Sequence, residues 1–150
     1  MSNAAALVIR QASAQDAALL MDFYRQLEFG PARELSVAMA MAAFEGLAAC
    51  PDFRVYIAER EGVPAGTFSL LIFRTLAHGG RPFGIVEDVV VHAAQRRHGV
   101  GKDMMAFAME RCRQADCYKL ALSSHLERVD AHVFYESLGF ARHGYSFLVT

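Results

Sequence analysis

The stretch that decides the fold is Val89-Val90-Val91-His92-Ala93-Ala94-Gln95-Arg96-Arg97-His98-Gly99-Val100-Gly101-Lys102. It reads as the end of a strand, a glycine-containing turn and the first residues of a helix. A run of valines suits a strand buried on both faces or distorted beside a ligand. A turn that presents successive backbone amides at a helix N-terminus supplies converging donors for a phosphate, and the helix dipole adds positive potential. Gly99 and Gly101 permit close backbone approach, while Arg96, Arg97 and Lys102 add local positive charge. Two common nucleotide motifs fail here. A Walker loop ending at Gly101-Lys102 needs glycine at Arg96 and Ser or Thr at Asp103, and a dinucleotide fingerprint starting at Gly99 needs glycine at Met104.

Outward from this turn, helical spacing is strong from Gly99 to Ala115, with Met104, Ala108 and Cys112 on one ladder and Met105 and Met109 on the next. Lys119 to Leu122 reads as a short strand, Val129 to Leu138 as a helix stopped by Gly139, and Phe140 to Val149 as a final strand. Upstream, Phe83 to Val91 is a strand. Val55 to Glu59 and Ala65 to Phe73 form a hairpin about Glu61-Gly62; Phe53, Val55 and Ile57 share a side by period two, as do Phe68, Leu70 and Ile72. The N-terminal third holds an opening strand, Leu7 to Gln11, and a capping-box-like Ser13-x-x-Asp16. A helix follows to about Phe29, broken at Gly30-Pro31, and then a second from Leu35 to Cys50. Helices between strands define an α/β (α+β) class with a mixed central sheet.

The chain has 150 residues, 54% of them hydrophobic, enough for one domain over 1–150 with a core of its own. A net charge of -1 provides no global field for nucleic acid or an anionic membrane. Cys50, Cys112 and Cys117 make an odd number, unlike a disulfide framework, and neither a secretory leader nor a spanning run is present; cytoplasmic localisation is the expectation. The histidines are scattered without zinc-ligand spacing, so no metal is expected.

The turn resembles the acetyl-coenzyme A motif of the GNAT superfamily of N-acetyltransferases, Gln/Arg-x-x-Gly-x-Gly/Ala, with Arg96, Gly99 and Gly101 at its specified positions. The resemblance continues at Ala131-His132-Val133-Phe134-Tyr135-Glu136-Ser137-Leu138-Gly139-Phe140, similar to the family's A-x-x-F-Y-E-x-x-G-F segment. It implies a GNAT fold with a splay between strands 4 and 5, flanked by helices, and acetyl-coenzyme A as cosubstrate. Val89 and Val91 would then offer backbone groups to the pantetheine arm, and Arg96, Arg97, His98, Gly99, Val100, Gly101 and Lys102 would hold the pyrophosphate.

Tyr135 occupies the family's usual general-acid position, and an unperturbed tyrosine can protonate a departing thiolate. Glu87 and Asp88 interrupt an apolar strand just before the acetyl site; alternation places them on opposite faces, and Glu87 is the preferred base or amine-orienting group. Ser123, Ser124 and His125 suggest a nucleophilic arrangement, but nothing places a third group behind the imidazole, and the superfamily transfers acetyl directly. Many members carry asparagine where this chain has Arg128. The stretch from Leu122 to His132 looks like a branch containing aminoalkylphosphonate and other small-amine acetyltransferases. The expected acceptor is therefore a small-molecule primary amine, with a protein or peptide amine, or a noncatalytic coenzyme A sensor, as alternatives. Such a fold is compatible with a homodimer through sheet edges or last strands.

Overall fold

The computed structural model describes residues 6–27 and 35–150. The elements are β1 (Leu7–Gln11), α1 (Ala17–Tyr24), α2 (Val37–Ala48), β2 (Phe53–Arg60), β3 (Val63–Arg74), β4 (Pro82–Val91), α3 (Val100–Gln114), β5 (Leu120–Leu122) and α4 (Val129–Ser137). The strands lie in one sheet in the order β1-β2-β3-β4-β5. Pairing is antiparallel from β1 to β4 and parallel between β4 and β5, as the mixed sheet required.

The sheet buries its two faces against different helices. On one side Val100, Met104, Met105, Ala108 and Cys112 of α3 pack on Tyr56, Phe68, Leu70 and Val86, with Phe134, Tyr135 and Leu138 of α4 joining at the margin. On the other, Leu20 of α1 meets Val55 and Ile57, flanked by Tyr24, Phe44 and Leu47. The alternating sets of β2 and β3 thus feed separate cores, which is what period-two patterning encodes. Methionines suit the α3 side because an unbranched side chain fills irregular space beneath a twisted sheet.

Helix starts follow local chemistry. Asp16 receives the Ser13 amide at 2.8 Å and the Arg10 guanidinium at 2.8 and 2.9 Å, so the expected acidic cap is also an ion-pair partner for β1. The Arg10 hydrogen bonds hold the Asp16 carboxyl below the usual carboxylate range. Ser36 caps α2 by accepting the Met39 amide at 3.2 Å. The Gly30-Pro31 break and the helix end near Phe29 lie outside the described residues.

The final strand expected over Phe140–Val149 does not form. Residues 140–150 adopt no regular structure, and Tyr145, Phe147, Leu148 and Val149 are all more than four-fifths exposed (89%, 94%, 88% and 93%). Apolar content alone does not make a strand: a strand needs a hydrogen-bonded neighbour, and this segment has no ladder partner in the sheet. The Ser146 hydroxyl is hydrogen-bonded at 2.8 Å to the Ser123 hydroxyl, just beyond β5.

Met104 is fully buried, whereas Val133 of α4 is 60% exposed. Met104→Ala should therefore lower unfolding free energy by about 2–5 kcal/mol in urea titration, and Val133→Ala should change it by about 0.5 kcal/mol or less.

Candidate active site

The parallel pairing of β4 with β5 covers only Gly84–Val86 against Leu120–Leu122. β4 continues to Val91 along β3, so among the described residues its Glu87–Val91 segment has a ladder on one edge and none on the other. This is the expected splay. Val89 and Val91 lie on it, their side chains packed against the α3 core. The Val91 carbonyl is also approached by Arg96 Nε at 3.4 Å, a contact that folds the start of the turn back onto the strand.

Beyond Val91 the backbone makes two left-handed residues, Arg97 at φ 65° and Gly99 at φ 79°. The first helical bond of α3 runs from the Asp103 amide to the Gly99 carbonyl at 3.0 Å. Among the described residues, the amides of Arg97, His98, Gly99, Val100, Gly101 and Lys102 make no backbone hydrogen bond of good geometry. These successive free donors at a 15-residue helix supply what a pyrophosphate needs. The turn is braced from β2, where Arg60 Nη2 donates to the His98 carbonyl at 2.9 Å.

The two glycines serve different ends. A Cβ on Gly99 would meet nothing within 4 Å, so glycine is favoured there by its positive φ. A Cβ on Gly101 would lie 3.0 Å from Phe134 Cζ and 3.6 Å from Val91 Cγ2. Gly101 therefore also allows α3, α4 and β4 to converge, a packing reason that the motif alone does not reveal.

That contact brings α4 to the mouth of the splay. Tyr135 is half-buried there, with ring centroids 5.2 Å from Phe134 and 5.8 Å from Phe140. Burial pushes its pKa up, and the Arg128 cation partly opposes the rise. The phenol thus stays protonated at neutral pH and available as a proton donor.

On the opposite side of β4 the structure corrects one expectation. Four residues of β4, Glu87 to Val90, span the distance covered by three of β3, Ser69 to Thr67, and Asp88 sits at φ 53°. This bulge breaks the alternation. Val86 points into the α3 core, so Glu87 faces the α1 side, and Asp88 acts electrostatically on Tyr24 of α1; the two carboxyls share a side. Burial raises both above their usual values, and the negative charge of Asp88 raises Glu87 further.

Tyr24 and Ser69, which gather beside Asp88, are the residues that sequence reasoning passed over. The Tyr24 phenol is pushed up to about 12, first by burial and then by Asp88, with the nearby Ser69 and Thr67 hydroxyls opposing. By distance and angle, Thr67 Oγ1 donates instead to the Tyr56 carbonyl at 2.7 Å, and Ser69 Oγ has no partner although it is buried directly across from Glu87. The available signal was the polar Thr67 and Ser69 within an apolar β3.

Ser123, Ser124 and His125 do not form a nucleophilic relay. Ser123 bonds Ser146, Ser124 Oγ is buried without a partner, and His125 Nδ1 accepts the Glu127 amide at 3.3 Å. Among the described residues no group of three or more His, Cys, Asp or Glu side chains could hold a metal, and no helix is long and apolar enough to cross a membrane.

A splayed parallel pair, an amide-rich turn at a helix start and a half-buried phenol are thus gathered around the open part of β4. The chain belongs to the acetyltransferase (GNAT) family, whose model matches residues 18–140. GNAT acetyltransferases use acetyl-coenzyme A, and the free amides and open β4 edge fit it. A glucosamine 6-phosphate N-acetyltransferase of Trypanosoma brucei brucei is 37% identical over 90 residues, covering 60% of this chain and 59% of that one. An aminoalkylphosphonate N-acetyltransferase of Salmonella typhimurium is 31% identical over 97 residues, covering 65% and 62%. The alignments thus span about three-fifths of these relatives' own lengths. A solved Agrobacterium tumefaciens protein described as an acetyltransferase superposes with a TM-score of 0.88 at 31% identity, covering 95% of this chain and 99% of that one.

Because Gly99 is left-handed with open space around it, Gly99→Ala should cost about 1 kcal/mol in backbone strain and weaken coenzyme A binding about fivefold, measured by calorimetry.

Proposed function

We propose that this chain transfers an acetyl group from acetyl-coenzyme A to the primary amine of a small molecule by direct attack, acting in the cytoplasm as one domain over residues 1–150. The observation that carries this reading is the placement of two groups of opposite proton demand on either side of the unpaired β4 segment. Tyr135 lies on the α3–α4 side with its proton retained, while Glu87 and Asp88 lie on the α1 side with their basicity raised.

Bound acetyl-coenzyme A supplies an activated thioester. The chain's contribution is to hold, orient and exchange protons. Amides of Arg97 to Lys102 hold the pyrophosphate, and Arg96, Arg97 and Lys102 add charge around it. Backbone groups of Val89 and Val91 align the pantetheine arm in the splay, the Val91 carbonyl keeping a second lone pair beside the one that Arg96 approaches. The incoming nitrogen must be unprotonated, and Glu87, beside Asp88, receives its proton directly or through water. As the carbon–sulfur bond breaks, the Tyr135 hydroxyl gives its proton to the departing sulfur. Glu87 is the preferred base because it lies across from the unpartnered Ser69 hydroxyl, at the start of the β4 segment that β5 leaves unpaired.

The acceptor class rests on the relatives' names: an amino sugar phosphate and aminoalkylphosphonates are both small primary amines carrying a phosphorus oxyanion. A mass-resolved acetylation screen with those acceptors, polyamines, amino acids and peptides tests the proposal. Acetylation of a small amine is the expected result; modification of peptides alone, or cofactor binding without turnover on any acceptor, would overturn it.

Tyr135→Phe should lower kcat at least about tenfold with little change in acceptor KM. Glu87→Gln should lower the rate and remove the acidic limb of the pH profile. In the wild type, activity should rise with pH through an apparent pKa above the ordinary glutamate range, since the base acts deprotonated and burial with Asp88 raises it. A Glu87→Gln profile identical to that of the wild type would remove Glu87 from the mechanism.

A further inference from the structure

We infer that Arg60, at the end of β2 and outside the cofactor motif, is a positioning residue that fixes which way the His98–Gly99 peptide presents its amide to coenzyme A. The inference rests on reading the turn as the coenzyme A cradle.

Arg60 closes the β2–β3 hairpin just before the left-handed pair Glu61 (φ 53°) and Gly62 (φ 76°). Its Nη2 crosses 38 residues of sequence to donate to the His98 carbonyl at 2.9 Å. The His98 carbonyl and the Gly99 N–H belong to one trans peptide unit, so they point in opposite directions. Pinning the carbonyl to the hairpin turns the Gly99 N–H away from it, where no acceptor meets that amide among the described residues.

The restraint matters at this peptide in particular. Glycine tolerates both signs of φ, so the unit between His98 and Gly99 can rotate at small cost. In the rotated form a carbonyl oxygen replaces the amide on the ligand side and repels a phosphate. Arg60 removes that alternative before the ligand arrives, which is preorganisation in its ordinary sense. A second observation separates this guanidinium from a routine hairpin brace: its Nε is buried without an acceptor, and no carboxylate pairs with it among the described residues. Its positive charge is therefore uncompensated beside a turn that receives an anion. Of the motif cations, Arg96 is engaged instead with Val91.

The test is calorimetric titration of the full chain with coenzyme A alone, comparing wild type, Arg60→Met and Arg60→Lys, with the Gly99 amide resonance followed by NMR. R60M should weaken coenzyme A binding about tenfold, the scale of one charge-assisted hydrogen bond. R60K, which keeps a cationic donor of similar reach, should recover most of the affinity. The ligand-induced shift of the Gly99 resonance should shrink in R60M and return in R60K, while kcat at saturating acetyl-coenzyme A and acceptor KM stay unchanged. Wild-type affinity and an unchanged Gly99 shift in R60M would overturn the inference, as would a loss that R60K does not recover. Should R60M fail to fold, Arg60→Gln carries the same expected loss. Absence of coenzyme A binding by the wild type would instead overturn the reading of the turn itself.

Discussion

The early parting of β4 from β5 is the constraint on which the rest of the molecule depends. Parallel strands are joined by a crossover, and here that crossover contains the turn and α3. Because the pair is hydrogen-bonded only from Gly84 to Val86, the five residues that follow on β4 reach the turn with one backbone edge unused. An open edge inside a sheet is costly unless something meets its donors and acceptors. The fold keeps it open by holding both walls rigid. β3 secures one side of β4, and α3 is fixed beneath by fully buried Met104, Met105 and Ala108. The convergence of Gly101 with Phe134 sets α4 on the far wall.

The same strand separates two chemical environments. Its α3 side is apolar, with a phenol at the margin; its α1 side gathers carboxyls and hydroxyls around a bulge. Asp88, a non-glycine residue in left-handed backbone, carries about 1–2 kcal/mol of local strain, sustained by the ladders on either side of the bulge. That strain turns successive acidic residues toward one side, where mutual repulsion and poor solvation keep their protons more tightly bound. A regular strand would have divided them between the faces and left each closer to an ordinary carboxylate.

What the sequence disclosed was what local order encodes. The turn before α3, the ladder of Met104, Ala108 and Cys112, the Glu61-Gly62 hairpin and the α4 segment around Tyr135 all follow from neighbours within a few positions. Features needing a distant partner were less legible. The bulge is a mismatch in register between β3 and β4, invisible when either strand is read alone. Tyr24 fits an apolar helix stripe equally well whether it fills a core or borders a site. Arg60 reads as the last residue of a strand until the fold brings His98 to it. The apolar run from Phe140 to Val149 has strand composition, yet composition carries no information about whether an edge is available to receive it. Gly101 carries a second role that the turn motif does not show, since its crowding against Phe134 arises only once α3 and α4 meet.

The unpaired edge of β4 also makes the protein's resistance to unfolding a property of its surroundings. Donors that wait for a ligand contribute nothing to cohesion while empty, and a ligand that engages them in the native state alone adds RT ln(1 + [L]/Kd) to the free energy of unfolding. At a ligand concentration of about 100 Kd that increment is about 2.7 kcal/mol, a sizeable part of the whole for a chain of this length. The melting temperature of this fold would therefore report the occupancy of its own splay, and depletion of the acyl carrier would leave the chain more exposed to proteolysis.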